Sequence, residues 1–283
     1  MSDSLQSAVK TLGRNKKFVG GFSVLIAMVI IGFLPYILAI PFPEFGSVPS
    51  FKRPSSEFPL GSDGLGRNLL VVLLYSVQTS LYIGFLAGTF GTILGVSIGL
   101  FGGYMGGFVD DTLRTLTDIF LVIPLWPLLI LISASVRSLS ISNMAFLLAA
   151  FSWQGSARTI RAQVMSLRER EFINIARLSG LQAPGIIFTE ILPNMIPFVA
   201  AGFVMSVTNA MLAEVSLEVI GLGPPGATTI GLMIYWATQY AATVKGWWWW
   251  ILPPVGILVA TFTSLYLMTL GFDEIGNPRT RVK

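Results

Sequence analysis

The stretch RTIRAQVMSLREREFINIARLSGLQAPGIIFTEILPN, from Arg158 to Asn194, separates two apolar runs and carries five of the eighteen basic residues. Its middle, 167–181, is predicted to be a short helix that Gly180 ends and Pro184 keeps from resuming. Ala176 and Gly180 are four residues apart and are expected to share one small-sided face. We interpret the stretch as a rigid docking element for a soluble partner. The alternative is a solvated loop held in place by its positive charge alone.

The composition indicates an all-α integral membrane protein. Of 283 residues, 53% are hydrophobic and only 11% are charged, whereas a soluble domain has about 25% charged residues. The net charge is +4, but the basic residues flank apolar runs, which is a topology signal and not a nucleic-acid footprint. We therefore expect membrane lipid and no nucleic acid among the partners.

The chain has no cysteine and no histidine, which excludes thiolate nucleophiles, histidine bases and zinc sites built on these residues. It also lacks a G-x-x-x-x-G-K-[ST] motif, so any ATP and magnesium would be bound by another subunit. We predict no catalytic residue, no metal ligand and no cofactor bound by this chain. The chemistry left open is that of paired carboxylates, either Glu214 with Glu218 or Asp110 with Asp118.

Six apolar runs predict six membrane-spanning helices, at 18–40, 80–103, 119–136, 142 to just beyond 151, 195–215 and 251–272. With both termini inside, thirteen of the eighteen basic residues fall on the inner side, as the positive-inside rule requires. The predicted organisation is a cytoplasmic segment 1–17, a first span 18–40, an external loop 41–79, a five-helix core 80–272 with a cytoplasmic loop 158–194, and a cytoplasmic tail 273–283.

Small and helix-breaking residues mark two of the predicted spans. The second has glycines three or four residues apart, which predicts a face for close helix packing, at Gly84, Gly88, Gly91, Gly95 and Gly99. The third is interrupted by Pro124 and Pro127, which predict a kink.

Two carboxylates near the end of the fifth span, Glu214 and Glu218, are one helical turn apart. Acidic groups at such positions usually face a bundle interior or water. They are interpreted either as hydrated groups at the outer interface or as part of a translocation path, in which an acidic lining would favour cationic substrates. Met205 and Asn209, on the same face one and two turns earlier, are further path candidates.

The segment EFINIARLSG, followed by EILP nine residues later, resembles the EAA loop of ABC-transporter permease subunits. The residues that match that pattern are Ala176, Gly180, Leu192 and Pro193, and the departures are Asn174, Ile175 and Glu190. In that family the loop forms a coupling helix that sits in a groove of the ATPase subunit. The resemblance implies ATPase-coupling roles for Arg170, Glu171, Asn174, Ala176, Arg177, Gly180 and Leu181.

Further segments resemble the C-type permeases of dipeptide, oligopeptide and nickel importers. They are FPLGSDGLGRNLL at 58–70, GGYMGGFVDDTLRTLTD at 102–118, LAEVSLEVIGLG at 212–223 and NPR at 277–279. The resemblance implies an external loop or gate at Asp63, Gly66 and Arg67, and it favours the path interpretation for Glu214.

The same resemblance implies a MetI-like permease fold in the plasma membrane of a prokaryote. The implied partners are a second homologous permease, two ABC ATPase subunits that hold ATP and magnesium, and an external solute-binding protein. The expected function is peptide import without covalent chemistry, with oligosaccharides or nickel as alternative substrates. An intramembrane carboxylate enzyme and a passive channel are the other functions considered.

Overall fold

The computed structural model describes residues 11–136 and 139–276. All of the regular secondary structure in these residues is helical. The helices are α1 (Lys16–Ile37), α2 (Leu69–Met105), α3 (Gly107–Val122), α4 (Leu125–Ser135), α5 (Ile141–Ala150), α6 (Trp153–Arg168), α7 (Glu171–Leu178), α8 (Ala183–Val219, with a π-helical turn at Ile186–Ile191), α9 (Ile230–Gln239) and α10 (Trp248–Gly276). Residues 1–10, the NPR segment and the rest of the tail lie outside the described residues.

Four of these helices, α1, α2, α8 and α10, are long and apolar enough to cross a membrane. Helices α3 and α4 pass the same test together and are bent by 77°, which makes up to five crossings in the described part of the chain. The bend falls where Pro124 precedes α4, in agreement with the predicted kink. The predicted fourth crossing is instead a ten-residue helix, α5, followed after two residues by α6.

Helix α2 begins at Leu69, eleven residues before the predicted start of the second span. The side chain of Asn68 caps the helix by accepting a hydrogen bond from the Leu70 N–H at 3.1 Å. Residues 69–74 are all apolar and begin the helix early, so the connection from α1 is shorter than the predicted loop 41–79.

The glycines of α2 lie against α6 and α8, as the sequence predicts. A Cβ atom added to Gly95 would lie 2.8 Å from the carbonyl oxygen of Trp153 in α6. A Cβ added to Gly88 would lie 2.8 Å from the backbone nitrogen of Val207 in α8. These distances are too short for any side chain, so the helices touch through their backbones.

The start of α1, the end of α10 and the predicted loop lie at one end of the helix bundle. Glu274 near the end of α10 accepts hydrogen bonds from Asn15 Nδ2 at 2.6 Å and Lys17 Nζ at 2.7 Å. At that same end, Tyr104 of α2 packs against α7. We call this the loop end. The opposite end, where Phe51 packs against Tyr240 just after α9, is called the α9 end.

Candidate functional site

Helix α7, Glu171–Leu178, is the centre of the predicted docking element and is shorter than the predicted 167–181. It ends with Gly180 in the left-handed region, at φ +86°. The N–H of Leu181 donates to the Ala176 oxygen at 3.2 Å, and the N–H of Gly180 donates to the Arg177 oxygen at 3.0 Å. These two bonds form a Schellman cap, which confirms that Gly180 ends the helix.

One face of α7 is buried against the loop end of the bundle. Ile173 is fully buried and Ala176 is 7% exposed, and both pack in a cluster with Leu100, Tyr104 and Ile187. The prediction that Ala176 and Gly180 share an exposed small-sided face is therefore wrong. Ala176 faces inward, and Gly180 lies beyond the end of the helix.

The opposite face of α7 is apolar and exposed. Ile175 is 63% exposed and Leu178 is 89% exposed. With Phe172 and Leu181 they form a patch that we call the docking patch, defined by Phe172, Ile175, Leu178 and Leu181. Exposed apolar groups at a three-residue spacing typically mark a protein interface. Of these four residues, only Leu181 is among the predicted coupling residues.

Polar residues surround the docking patch. Arg170, Glu171, Asn174 and Arg177 are all exposed. Arg177 NH1 donates to Asn174 Oδ1 at 3.4 Å, so these two side chains are ordered with respect to each other. Six of the seven predicted coupling residues thus lie exposed on or beside α7, and Ala176 is the exception.

A cavity of about 410 Å³ lies between α2, α6, α8 and α10. Met205 and Asn209, two of the predicted path residues, line it. Its polar lining consists mainly of hydroxyl and amide groups, at Thr92, Ser152, Ser156, Thr159, Gln163, Ser206, Asn209 and Thr269. Asp273 is the one ionisable residue among the described lining residues. We call this cavity the groove.

Glu214 and Glu218 are fully buried, so the interpretation of hydrated groups at the outer interface is wrong. Ser80 Oγ of α2 donates to Glu214 Oε1 at 2.8 Å, and Thr229 Oγ1 donates to Glu218 Oε2 at 2.6 Å. The Ile230 N–H donates to Ser80 Oγ at 3.1 Å. The pair therefore fastens the start of α9 to α2 and α8, and it does not line the groove.

The predicted gate residues form a closed turn at the α9 end. Arg67 Nε and Asp63 Oδ2 are 2.8 Å apart, and both side chains are buried. Asp63 Oδ1 also accepts hydrogen bonds from the N–H groups of Leu65 and Arg67, each at 2.9 Å. Gly66 has φ +71°, and a Cβ there would lie 2.8 Å from the Val48 oxygen. The turn is thus rigid, which its sequence alone did not show.

The aspartates considered for acid–base chemistry face arginines. Arg161 NH2 donates to Asp110 Oδ2 at 2.6 Å, and Arg158 NH2 donates to Asp118 Oδ1 at 2.7 Å. These bonds join α3 to α6 and do not assemble an acid pair. Within 11–136 and 139–276, no group of three or more acidic, cysteine or histidine residues is placed to hold a metal ion.

Comparisons with known proteins identify the family. The family described as binding-protein-dependent transport system inner membrane component matches residues 91–282. The oligopeptide transport system permease protein OppC of Mycobacterium tuberculosis is 30% identical over 276 residues, which cover 96% of this chain and 94% of that protein. The dipeptide transport system permease protein DppC of Alkalihalophilus pseudofirmus is 30% identical over 274 residues, 96% of this chain and 86% of that protein.

A further relative, the dipeptide transport system permease protein DppC of Haemophilus influenzae, is 26% identical over 270 residues, 93% of this chain and 90% of that protein. The family places its members in the plasma membrane, and the long apolar helices agree with a multi-pass protein. Its members are transport subunits and are not themselves ATPases. The chain belongs to the family of binding-protein-dependent transport system inner membrane components, the permease subunits of ABC importers.

Proposed function

We propose that this chain forms half of the translocation path of an ATP-driven importer for di- and oligopeptides, and that α7 couples it to an ATPase subunit. The observation that carries the coupling role is the docking patch, where Leu178 is 89% exposed on a helix whose other face is buried. An apolar centre with Arg170, Glu171 and Arg177 around it has the composition of a protein interface.

The proposed coupling mechanism depends on the packing of α7 against the helix bundle. Ile173 and Ala176 pack against residues of α2, α6 and the start of α8. Because close-packed side chains transmit displacement, a force on the docking patch would move these helix ends together. Closure of two ATPases would then shift the permease between outward- and inward-facing states.

We assign six crossings, with both termini and α7 in the cytoplasm; α1, α2, α8, α10 and the bent pair α3–α4 account for five of them. Helix α5 has ten residues and spans about 15 Å, which is too short for a bilayer core of about 30 Å. Helix α6 has sixteen residues and adds about 24 Å. We take α5 and α6 as one interrupted crossing, which brings the chain back to the loop end before α7.

The peptide assignment rests on two observations. Relatives of about 30% identity that cover nearly the whole chain are named oligopeptide and dipeptide permeases. The groove also presents hydroxyl and amide groups that can donate to and accept from peptide bonds. An oligosaccharide could use the same groups, so it is the second candidate. Nickel is disfavoured because the chain has no histidine or cysteine.

The proposed assembly contains this chain, a second homologous permease, two ATPase subunits and an external solute-binding protein. ATP and magnesium bind to the ATPase subunits, and this chain binds no cofactor. The second permease would close the groove between α6 and α8, and the binding protein would meet the α9 end.

Substitution of Leu178 by Asp tests the coupling role. In the purified assembly, Leu178→Asp should reduce ATPase retention and ATP-dependent peptide uptake into proteoliposomes by at least about tenfold, because burying an unpaired charge is costly. Val244→Asp is the matched control, since Val244 is also 89% exposed but follows α9. Normal ATPase retention in Leu178→Asp would disprove coupling through α7.

Competition tests the substrate and the transport mode. Uptake of a labelled tripeptide should be inhibited by unlabelled di- and tripeptides and not by a trisaccharide. It should also require ATP. Inhibition by the trisaccharide alone would move the assignment to oligosaccharides, and undiminished uptake without ATP or ATPases would identify a passive channel.

A further inference from the structure

A second cavity, of about 390 Å³, lies between α3 and α6 on the outside of the bundle. Three guanidinium groups line it, those of Arg114, Arg158 and Arg161, together with Asp118. Leu113, Ile98 and Ala157 supply the apolar part of its wall. The transport mechanism proposed above does not use this cavity, which we call the arginine cavity.

The carboxylates near the arginine cavity use only part of the hydrogen-bonding capacity of its arginines, although Asp111 also lies within electrostatic range of Arg161. Arg161 is neutralised by Asp110, to which it donates at 2.6 Å. Arg158 and Arg114 share the single carboxylate of Asp118, at 2.7 Å and 3.6 Å. The Arg114 side chain is 61% exposed and that of Arg158 is 64% exposed. The exposed guanidinium groups of Arg114 and Arg158 therefore keep N–H groups that no carboxylate uses and that are available for an anion.

The depth of the arginine cavity fits the headgroup layer. Helix α2 has 37 residues and is about 55 Å long, so a centred α2 extends about 12 Å beyond the hydrocarbon core on each side. Ile98 lies seven residues before Met105, or about 10 Å from the end of α2. The cavity thus lies close to the boundary between hydrocarbon and headgroups at the loop end.

The cavity faces away from the groove. At 100° per residue, Arg158 and Arg161 lie about 140–160° around α6 from Ser156 and Gln163, which line the groove. If the second permease closes the groove, as the proposed function requires, the arginine cavity faces the surrounding lipid. Further along α3, Val122 is 82% exposed and offers an apolar surface beside the cavity.

We propose that the arginine cavity binds the phosphate of an anionic phospholipid of the cytoplasmic leaflet. The guanidinium groups of Arg114 and Arg158 hold the phosphate, and the acyl chains lie along the exposed apolar side of α3. Basic pockets between helices on the cytoplasmic side are suited to such headgroups. The assignment of the leaflet rests on the proposed function, which places the loop end in the cytoplasm.

The test counts lipids bound to the assembled, delipidated transporter by native mass spectrometry during titration with phosphatidylglycerol. R114Q/R158Q should weaken the tightest binding event by about tenfold or more. K52Q/R53Q makes the same charge change at exposed positions of the α9 end and should leave it unchanged. D118N should strengthen lipid binding, because it frees the guanidinium groups of Arg114 and Arg158. If D118N instead disturbed the local fold, lipid binding would become weaker.

Titrations with other ligands distinguish between the possible occupants of the arginine cavity. Phosphatidylcholine should bind more weakly than phosphatidylglycerol and respond little to R114Q/R158Q. If soluble glycerol 3-phosphate competed for the site as strongly as phosphatidylglycerol binds, the occupant would be a free phosphate ester and the proposal would be overturned. Unchanged lipid binding in R114Q/R158Q, with loss of the second permease, would assign the cavity to a protein interface and also overturn it. These readouts need no transport, so they are independent of the peptide assignment.

Discussion

The guanidinium carbon of Arg177 lies 5.5 Å from the centroid of the Tyr104 ring, and Arg177 Nε lies 3.5 Å from Tyr104 Oη. Arg168 NH1 donates to the Tyr104 carbonyl oxygen at 3.3 Å. The last turn of α2 is therefore tied both to α7 and to the end of α6. This joint connects the docking patch to the two helices that share the glycine contact.

Loss of the joint should uncouple transport. We expect Arg177→Gln to lower the amount of peptide imported per ATP hydrolysed several-fold, because a cation–π contact of about 0.5–2 kcal/mol is removed where α7 meets α2. ATPase retention should stay normal, since the docking patch is intact. Arg53→Gln, which removes an exposed arginine at the α9 end, is the control. Equal peptide-to-ATP ratios in the two variants would exclude a role for the joint.

The cap of α7 should depend on the backbone of residue 180. Gly180 has φ +86°, a conformation that costs most residues about 1–2 kcal/mol and costs asparagine less. Gly180→Val should increase hydrogen exchange in Glu171–Leu178, whereas Gly180→Asn should leave it nearly unchanged. No heavy atom lies within 4 Å of an added Cβ, so a clash would not explain the difference.

The contact between α2 and α6 should not tolerate a methyl group. Gly95→Ala would place a Cβ 2.8 Å from the Trp153 oxygen, and overpacking of this kind costs about 1–3 kcal/mol. We expect a lower thermal unfolding temperature of the purified chain. Gly155→Ala is the matched control, because an added Cβ there meets nothing within 4 Å. An equal effect of both substitutions would show that the contact is not tight.

The anchor of α9 should depend on the hydroxyl of Thr229. Thr229→Val removes both the donor to Glu218 and the acceptor that caps the Leu232 N–H, and the loss of such buried hydrogen bonds costs about 1–3 kcal/mol. We expect a lower unfolding temperature and partial recovery in Thr229→Ser. Ser216→Ala, on the exposed side of α8, should have little effect. If the unfolding temperature did not recover in Thr229→Ser, the loss of stability would come from the packing of the threonine methyl group and not from the hydroxyl.

Local features of the fold were predictable from the sequence. Which face of a helix such as α7 is buried was not predictable. The Gly180 cap, the bend before α4 and the glycine contacts of α2 each follow from backbone chemistry within a few residues. In contrast, α7 carries apolar residues on both sides, with Ile173 and Ala176 on one and Ile175 and Leu178 on the other. Which side is buried depends on the distant helices that pack there.

The environment of Glu214 and Glu218 was beyond sequence reasoning for a similar reason. Their hydroxyl partners, Ser80 and Thr229, are 134 and 11 residues away from them respectively. The partners in each pair do not lie on the same helix, so no helical spacing indicates the pairing. The resemblance placed Glu214 on the path, whereas in the structure Met205 and Asn209 are the predicted residues that line the groove.

The glycine contact between α2 and α6 has a mechanical consequence. Where Gly95 meets the backbone of Trp153, no side chain stands between the helices that could change rotamer and let them slide. The two helices are therefore expected to move as one rigid unit, which extends from the membrane core to the loop end where α7 packs. Helix α3 is joined to α6 by Arg158 and Arg161, so we expect it to move with them as far as the 77° bend before α4.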